Sequence, residues 1–283
     1  MNEKSSGTLL ALTAILIWST LALISTRLTH ISTFLILGVA FLISGSISLF
    51  RRKAWKVPLT TLLVGVAGIF GYHFLYFNAF ALAPAIEANL INYLWPMLIV
   101  VLSPVFLSGY RLGWRHIIAG LLGLVGASLI VTEGHFNIQM QYLSGYLLAF
   151  GAAIVWSSYS LLTKRLPPFN TETISVFCLL SGLAALGFFF LTGGRPADLQ
   201  LPSTKDWSLI LMAGIGPLGA AFYFWDAALK RGDPRVIGSL AYLTPMLSTL
   251  NLILFAGKSI SITSIIAMLL IIGGAILGSS KIN

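Results

Sequence analysis

One stretch of this chain occurs twice, the second time in altered form. The first copy reads Gly7-Thr-Leu-Leu-Ala-Leu-Thr-Ala-Ile-Leu-Ile-Trp-Ser-Thr-Leu-Ala-Leu-Ile-Ser-Thr-Arg-Leu28. The second begins 138 residues later and reads Gly145-Tyr-Leu-Leu-Ala-Phe-Gly-Ala-Ala-Ile-Val-Trp-Ser-Ser-Tyr-Ser-Leu-Leu-Thr-Lys-Arg-Leu166, with ten of 22 positions identical. Leucine and alanine matches mean little between apolar segments, but the glycine, the Trp-Ser pair and the Arg-Leu pair keep their register. The chain therefore contains two copies of one unit.

The repeated stretch is one of many apolar segments. Of the 283 residues, 57% are hydrophobic and only 9% are charged, which is too little charge to cover a surface in water. Apolar runs near the roughly 20 residues that span a bilayer recur along the whole chain. We predict an all-α fold, a bundle of ten transmembrane helices in a lipid bilayer. The predicted helices are 7–26, 32–50, 58–82, 85–107, 116–132, 142–163, 171–192, 207–229, 235–256 and 262–280.

Lysine and arginine collect in alternate loops. Thirteen of the 17 fall on one side of the predicted membrane, and basic loops mark the cytoplasmic face. This set contains Lys4, Arg51, Arg52, Lys53, Lys56, Arg111, Arg115, Lys164, Arg165, Lys230, Arg231, Arg235 and Lys281. The opposite set contains Arg27, Arg195, Lys205 and Lys258. This bias predicts that both termini are cytoplasmic.

Each copy of the repeat holds five predicted helices, one copy in residues 1–138 and the other in 139–283. Since five is odd, the second copy must start on the opposite side of the membrane, so the fold is predicted to be two inverted five-helix repeats. Arg27 falls outside and its counterpart Arg165 inside, in agreement. Inverted repeats are typical of carriers that work by alternating access. The pattern therefore predicts a transporter of a small molecule.

Further matches between the copies lie in the later helices. Phe77-Asn-Ala79 corresponds to Trp225-Asp-Ala227, and Tyr93-Leu-Trp-Pro-Met97 to Tyr242-Leu-Thr-Pro-Met246. These matches extend the repeat beyond its first helix.

Two repeat mates, Trp18 and Trp156, are candidates for a substrate site at the bilayer midplane. Each lies 11 residues beyond the glycine that opens its copy, which is roughly 16 Å along a helix and close to the middle of a roughly 30 Å core. Tryptophan usually prefers the membrane interface, so its presence at this depth needs another explanation.

The segment Gly71-Tyr-His-Phe-Leu-Tyr-Phe-Asn78 is the richest in polar rings. On a helix Tyr72, Tyr76 and Ala79 share a face, with His73 beside them. Phenols and an imidazole at this depth must face protein or water. They form either a cavity wall or a packed, hydrogen-bonded core cluster.

The fourth predicted helix carries several polar residues and a proline. They are Glu87, Asn89, Asn92, Tyr93, Trp95 and Pro96. The proline frees a backbone carbonyl one turn earlier, and a ligand, a water or a side chain must satisfy it. Its repeat mate Pro245 predicts a matched break in the other copy, although duplication alone would also produce such a pair.

Two acids have separate interpretations. Glu87 either extends to the outer surface or serves in gating or proton binding. Asp226 lies one turn before Lys230, and the i,i+4 spacing favours an ion pair.

Several functional classes are excluded by what the chain lacks. Cys178 is the only cysteine, and there is no His/Asp/Glu cluster at metal-ligand spacing, no GxSxG elbow and no P-loop. We therefore predict no enzyme, no cofactor and no metal. The basic residues form no stripe interleaved with aromatics, so nucleic acid is not a predicted partner. Glycine pairs in the fifth and tenth helices favour packing inside a monomer, with dimerisation as the alternative.

The motifs resemble the drug/metabolite transporter superfamily, specifically its ten-helix EamA-type proteins, over the whole chain. Gly71-Tyr-His-Phe-Leu-Tyr-Phe77, Asn92-Tyr-Leu-Trp-Pro-Met97 and Ala152-Ala-Ile-Val-Trp-Ser157 look like its aromatic amino acid exporter branch. The resemblance implies a central cavity that binds aromatic amino acids and releases them from bacteria across the inner membrane. Carried over by motif, the cavity residues would be Tyr72, His73, Tyr76, Tyr93, Trp95, Pro96 and Trp156.

Several alternatives remain open at this point. The chain could export another metabolite, or cationic drugs that pair with Glu87, or it could form a channel. Proton coupling through His73 or Glu87 is a hypothesis that their depth suggests.

Overall fold

The computed structural model describes residues 3–135, 138–192, 202–257 and 259–279. Within these residues, ten helices are long and apolar enough to cross a membrane, which confirms the predicted all-α, ten-helix fold. The ten spans are Ser5–Ser25, Thr33–Phe50, Leu59–Leu82, Ala85–Phe106, Trp114–Thr132, Met140–Arg165, Thr171–Leu191, Thr204–Arg231, Pro234–Ala256 and Ile262–Ser279. Arg195, Lys258 and Lys281, which the charge count used, lie outside the described residues.

The two shortest connections, after the third span and after the eighth, each lie between two separate membrane spans. Ala83 is extended between the third and fourth spans, and Gly232 is extended between the eighth and ninth. Proline follows each of them, Pro84 as the cap and Pro234 as the first residue of the next helix. Proline is favoured there because the first turn of a helix needs no N–H donor. The chain can thus reverse its direction within two residues.

Irregular turns recur in both halves at a spacing of 149 residues. The third span contains a π-helical turn at Ala67–Gly71, and the eighth contains one at Gly216–Ala220. The fourth and ninth spans are interrupted at Tyr93 and Tyr242. Such turns frequently occur at functional sites because they redirect backbone carbonyls and side chains.

This spacing corrects one of the sequence matches. The helix Tyr72–Leu82 corresponds to Ala221–Arg231 over its full length, which pairs Tyr76, not Phe77, with Trp225. The Asn-Ala and Asp-Ala dipeptides that suggested the other register are a coincidence, since short matches arise easily between helices of biased composition.

Glycines bring the first and sixth spans against the ends of other spans. A Cβ added to Gly7 would lie 2.5 Å from the backbone nitrogen of Gly232, and one added to Gly145 would lie 2.5 Å from Cβ of Ala83. Lys164, near the end of the sixth span, donates from Nζ to the carbonyl oxygen of Gly232 at 2.9 Å. The first span therefore begins at the end of the bundle where the sixth span finishes.

The glycine pairs of the fifth and tenth spans pack these two helices together, as predicted. A Cβ added to Gly126 would lie 2.7 Å from the carbonyl oxygen of Ala267, and one added to Gly274 would lie 2.7 Å from that of Ala119. The second and seventh spans approach each other similarly at Gly45 and Leu179. The centre of the bundle is bordered by the first, second, third, fourth, sixth, eighth and ninth spans.

Candidate functional site

A cavity of about 500 Å³ lies at the centre of the bundle. Seven predicted site residues line it, namely Trp18, Tyr72, His73, Tyr76, Tyr93, Trp95 and Trp156. A void adjoins Tyr72, His73 and Tyr76 of the third helix, which favours the cavity-wall interpretation, although all three also make hydrogen bonds within the bundle. Its volume suits a small organic molecule, since ligand pockets commonly measure about 300–1,000 Å³.

Four tryptophans close the deep end of this cavity. The ring centroid of Trp18 lies 5.8 Å from Trp156, 6.4 Å from Trp95 and 5.1 Å from Trp225. Phe222 joins them at 6.0 Å from Trp18. Most of these pairs meet edge to face or tilted, the arrangement that aromatic quadrupoles favour, and each pair contributes about 0.5–1.5 kcal/mol. The cluster explains why tryptophan occurs so far from the membrane interface.

Two stacked phenols form one wall. The rings of Tyr72 and Tyr76 are 5.6 Å apart and tilted by 12°, as expected for side chains four residues apart on one helix face. Tyr72 also lies 5.2 Å from Trp156, which joins this wall to the tryptophan cluster. An aromatic ligand can pack against these faces.

Amide groups of the fourth span orient the two phenols. The hydroxyl of Tyr76 donates to Oδ1 of Asn89 at 2.7 Å, and Nδ2 of Asn92 donates to the hydroxyl of Tyr72 at 3.2 Å. Oδ1 of Asn92 is buried without a hydrogen-bond partner. Unpaired polar atoms inside a membrane protein are costly, so the cavity wall holds a strong unused acceptor.

The hydrogen bond of His73 decides which of its nitrogens carries a proton. Nδ1 lies 2.7 Å from the carbonyl oxygen of Ile69, in the π-helical turn. A carbonyl only accepts, so Nδ1 must donate, and in the neutral ring Nε2 is left as an acceptor. The ring is held in place by Phe41 at 5.1 Å and Tyr72 at 4.8 Å. The imidazole therefore offers a fixed acceptor beside the cavity.

Within the part of its lining that the structure describes, the cavity reaches the surface at one end only. Ser25 and Thr29, at the end of the first span and in the following loop, line it and are exposed. At the other end Trp95, Trp156 and Phe222 are buried. We call the Ser25 end the mouth. The bundle is thus open at one end and closed at the other.

Two predicted site residues are not part of the cavity lining. Pro96 is buried, and its carbonyl oxygen would lie 2.9 Å from a Cβ added to Gly238, so it packs against the ninth span. Glu87 is half-buried in the first turn of the fourth span, and its Oε2 is buried without a partner. This oxygen is not exposed at the surface, and both interpretations of Glu87, extension to the outer surface and gating or proton binding, stay predictions. Neither residue lines the cavity, so their predicted roles in binding, coupling or gating stay predictions.

The predicted ion pair of Asp226 is present. Nζ of Lys230 lies 2.7 Å from Oδ2 of Asp226, one helical turn away. Both lie beyond the tryptophan cluster.

Sequence reasoning missed several lining residues of the second half. They are Ala213, Pro217, Leu218, Phe222, Thr244 and Ser248. The spacing of 149 residues could have identified two of them, because Phe222 corresponds to His73 and Thr244 to Trp95. The others are small or apolar and resemble any residue of a membrane helix.

The profile of the EamA-like transporter family matches the chain twice, over residues 5–132 and 143–280. The chain belongs to the EamA-like transporter family. It is a multi-pass membrane transporter and not an enzyme.

This EamA-like transporter is similar to proteins that share nearly its whole length. It is 40% identical to the aromatic amino acid exporter YddG of Ancylobacter novellus over 282 residues, 96% of each chain. It is 27% identical to the YddG of Escherichia coli strain K12, over 97% of each chain. A solved crystal structure with 39% sequence identity superposes with a TM-score of 0.91 and covers 98% of this chain and 97% of the other.

Proposed function

We propose that this transporter exports aromatic amino acids from the bacterial cytoplasm across the inner membrane by alternating access. The observation that carries the proposal is the central cavity with stacked phenols and a tryptophan floor. Its relatives named aromatic amino acid exporters support the same substrate class.

The charge of the cavity supports a ligand without net charge. The lining residues described include no Asp, Glu, Lys or Arg. A zwitterion brings one ammonium and one carboxylate and needs polar groups for both. Nε2 of His73 can accept from the ammonium, and ring faces can stabilise it by cation–π contact. Cationic drugs would find no carboxylate, which argues against that alternative.

The proposal includes two inverted units, residues 1–138 and 139–283. Support comes from the two separate matches to one family profile, from the irregular turns spaced by 149 residues and from reciprocal packing. The first span packs against the eighth and the sixth against the third, while the second packs on the seventh and the fifth on the tenth. Reciprocal contacts of this kind arise from a two-fold axis.

Orientation is a further part of the proposal. If both termini are cytoplasmic, as the basic loops predict, the mouth at Ser25 and Thr29 faces outward. The arrangement then corresponds to the outward-open state of an exporter. We propose that a single chain is the working unit, because the glycine faces of the fifth and tenth spans are used within the bundle.

Counterflow tests the substrate. Proteoliposomes loaded with unlabelled phenylalanine should accumulate labelled phenylalanine from outside, and tyrosine and tryptophan should compete. Charged amino acids and a cationic drug serve as controls that should not compete. Failure of every aromatic amino acid to compete would reject the substrate class. Competition by the drug, abolished by Glu87→Gln, would support the drug-export alternative instead.

A further inference from the structure

At the end of the bundle opposite the mouth, a buried carboxylate is paired with a half-buried lysine. Asp226 is 2% exposed, and its Oδ2 accepts from Nζ of Lys230 at 2.7 Å. The end assignment follows from Gly7, which starts the first span and packs against Gly232, whereas Ser25 ends that span at the mouth. The separation of 18 positions between Gly7 and Ser25 corresponds to roughly 27 Å of helix.

The pair connects the eighth span to the neighbouring spans. Oδ2 of Asp226 also accepts from the hydroxyl of Thr171, at the start of the seventh span, at 2.8 Å. Nζ of Lys230 donates to the carbonyl oxygen of Phe169 at 2.9 Å and lies 3.5 Å from the centre of its ring. Nζ of Lys164, on the sixth span, donates to the carbonyl oxygens of Leu229 and Gly232. Three spans are therefore held together at this end.

The cluster lies directly behind the floor of the cavity. Trp225, the residue before Asp226, is 5.1 Å from Trp18 and 5.7 Å from Trp95, and its Nε1 donates to Oγ of Ser160 at 3.1 Å. The hydrogen bonds of Asp226 and Lys230 therefore join the helix that carries Trp225 to the start of the seventh span and to the loop before it.

Two of the three corresponding positions of the first half line the cavity near its mouth, and none of the three carries a charge. At a spacing of 149 residues, Asp226 corresponds to Phe77 and Lys230 to Ala81; at 138 residues, Thr171 corresponds to Thr33. Phe77 and Thr33 both line the cavity at its open end. Equivalent positions are thus ion-paired where the bundle is closed and uncharged where it is open.

We infer that the contacts of Asp226 and Lys230, both on the eighth span, with Thr171 and Phe169 form a latch that holds the transport path shut at the end opposite the mouth, and that these contacts must break to open that end. The inference rests on the proposed alternating access. A buried carboxylate that loses hydrogen-bond partners without replacement is unfavourable, so the latch favours the closed arrangement. Once the spans part, water reaches both charges and replaces the lost contacts.

A cysteine at position 160 tests the latch. Ser160→Cys in a Cys178→Ala background places a thiol beside the indole of Trp225. Inverted vesicles are treated with a thiol reagent that cannot cross the membrane, so that it arrives from the Lys230 side. Asp226→Asn and Lys230→Met should each speed labelling about tenfold, equivalent to about 1.4 kcal/mol. The double variant leaves no unpaired buried charge and should label no faster than either single variant.

Three controls make the outcome decisive. Asp233→Asn removes a charge at the same end whose partner, Arg235, lies in its own helical turn, and it should leave labelling unchanged. Cys178 is buried in the folded protein. The same variants are therefore also made with Cys178 retained and without Ser160→Cys, and labelling of Cys178 in them reports unfolding. If Asp226→Asn unfolds the protein, Thr171→Val removes one hydrogen bond only and should still speed labelling.

The latch is refuted if folded Asp226→Asn, Lys230→Met and Thr171→Val proteins all label at the parental rate, or if Asp233→Asn labels as fast as they do. Labelling needs no substrate. Its result is therefore independent of whether aromatic amino acids are the cargo, which counterflow decides.

Discussion

The indole Nε1 of Trp18 donates a hydrogen bond to the carbonyl oxygen of Pro217 at 3.0 Å. Pro217 belongs to the π-helical turn of the eighth span, while Trp18 lies in the middle of the first. The bond joins one half of the chain to the irregular turn of the other, 199 residues away in sequence. His73 makes the analogous contact with Ile69 within the third span. Side chains beside the cavity therefore satisfy carbonyls in both irregular turns.

Trp18→Phe should destabilise the protein more than Trp156→Phe does. Both changes remove part of an indole from the cavity, but only Trp18→Phe removes the donor that bonds the carbonyl oxygen of Pro217. A lost buried hydrogen bond costs about 0.5–1.5 kcal/mol. Thermal unfolding in detergent, followed by size-exclusion chromatography, measures the difference. Equal losses in the two repeat mates would contradict an anchoring role for the Trp18 bond.

Tyr76→Phe should weaken substrate binding without abolishing transport. The ring stays and still stacks on Tyr72, but the hydroxyl that positions Asn89 is lost. A bond of about 0.5–1.5 kcal/mol predicts a rise of roughly 2- to 13-fold in the counterflow KM. Tyr76→Ala, which removes the ring, should be worse. The ring-wall interpretation fails if the alanine variant transports as well as the phenylalanine variant.

His73→Ala should remove any pH dependence of transport, whereas Glu87→Gln should retain it. Only His73 lines the cavity, where a proton can be exchanged with water entering through the mouth. Counterflow and net efflux of both variants, measured from about pH 4 to pH 8, distinguish the two. Unchanged pH profiles in both variants would exclude proton coupling through either residue.

Gly274→Ala and Gly273→Ala should have opposite effects on stability. A Cβ at position 274 would meet the carbonyl oxygen of Ala119 at 2.7 Å, while one at 273 has nothing within 4 Å. The first change forces the fifth and tenth spans apart. The second change meets no neighbouring atom. It lowers the conformational entropy of the unfolded backbone and should stabilise the helix by about 0.5–1 kcal/mol. Thermal stability of the purified variants checks both signs.

Asp233 should contribute to stability above about pH 4 and lose this contribution below it. Burial raises the pKa of this carboxyl, but hydrogen bonds and the charge of Arg235 outweigh burial and hold the pKa below its ordinary value. A depressed folded-state pKa stabilises the protein above the unfolded pKa of about 3.9, and the gain is lost as pH falls through the folded value. Asp233→Asn should therefore flatten the acid limb of a thermal stability profile. An unchanged acid limb would refute this assignment.

Much of the cavity could be predicted because its polar rings are conspicuous in lipid. Tyr72, His73 and Tyr76 stand out in an apolar helix, where such groups are costly unless they face protein or water. Phe222 and Leu218 carry no such signal, since apolar residues suit lipid, core and cavity alike. The motif resemblance also implies that Pro96 lines the cavity, yet a helix break redirects neighbouring residues without requiring the proline itself to face the void.

The sequence by itself determined the ten spans and the duplication. Span length and apolar composition follow from the thickness of the bilayer, and both are local properties that sequence carries directly. Only the tertiary structure decided which faces of the helices enclose a void, which end of that void is open, and that Asp226 and Lys230 lie beneath its floor beside Thr171. Those features depend on how spans far apart in sequence pack, and in a membrane helix such contacts are directed by small residues and single hydrogen bonds, which are too subtle to read from one chain.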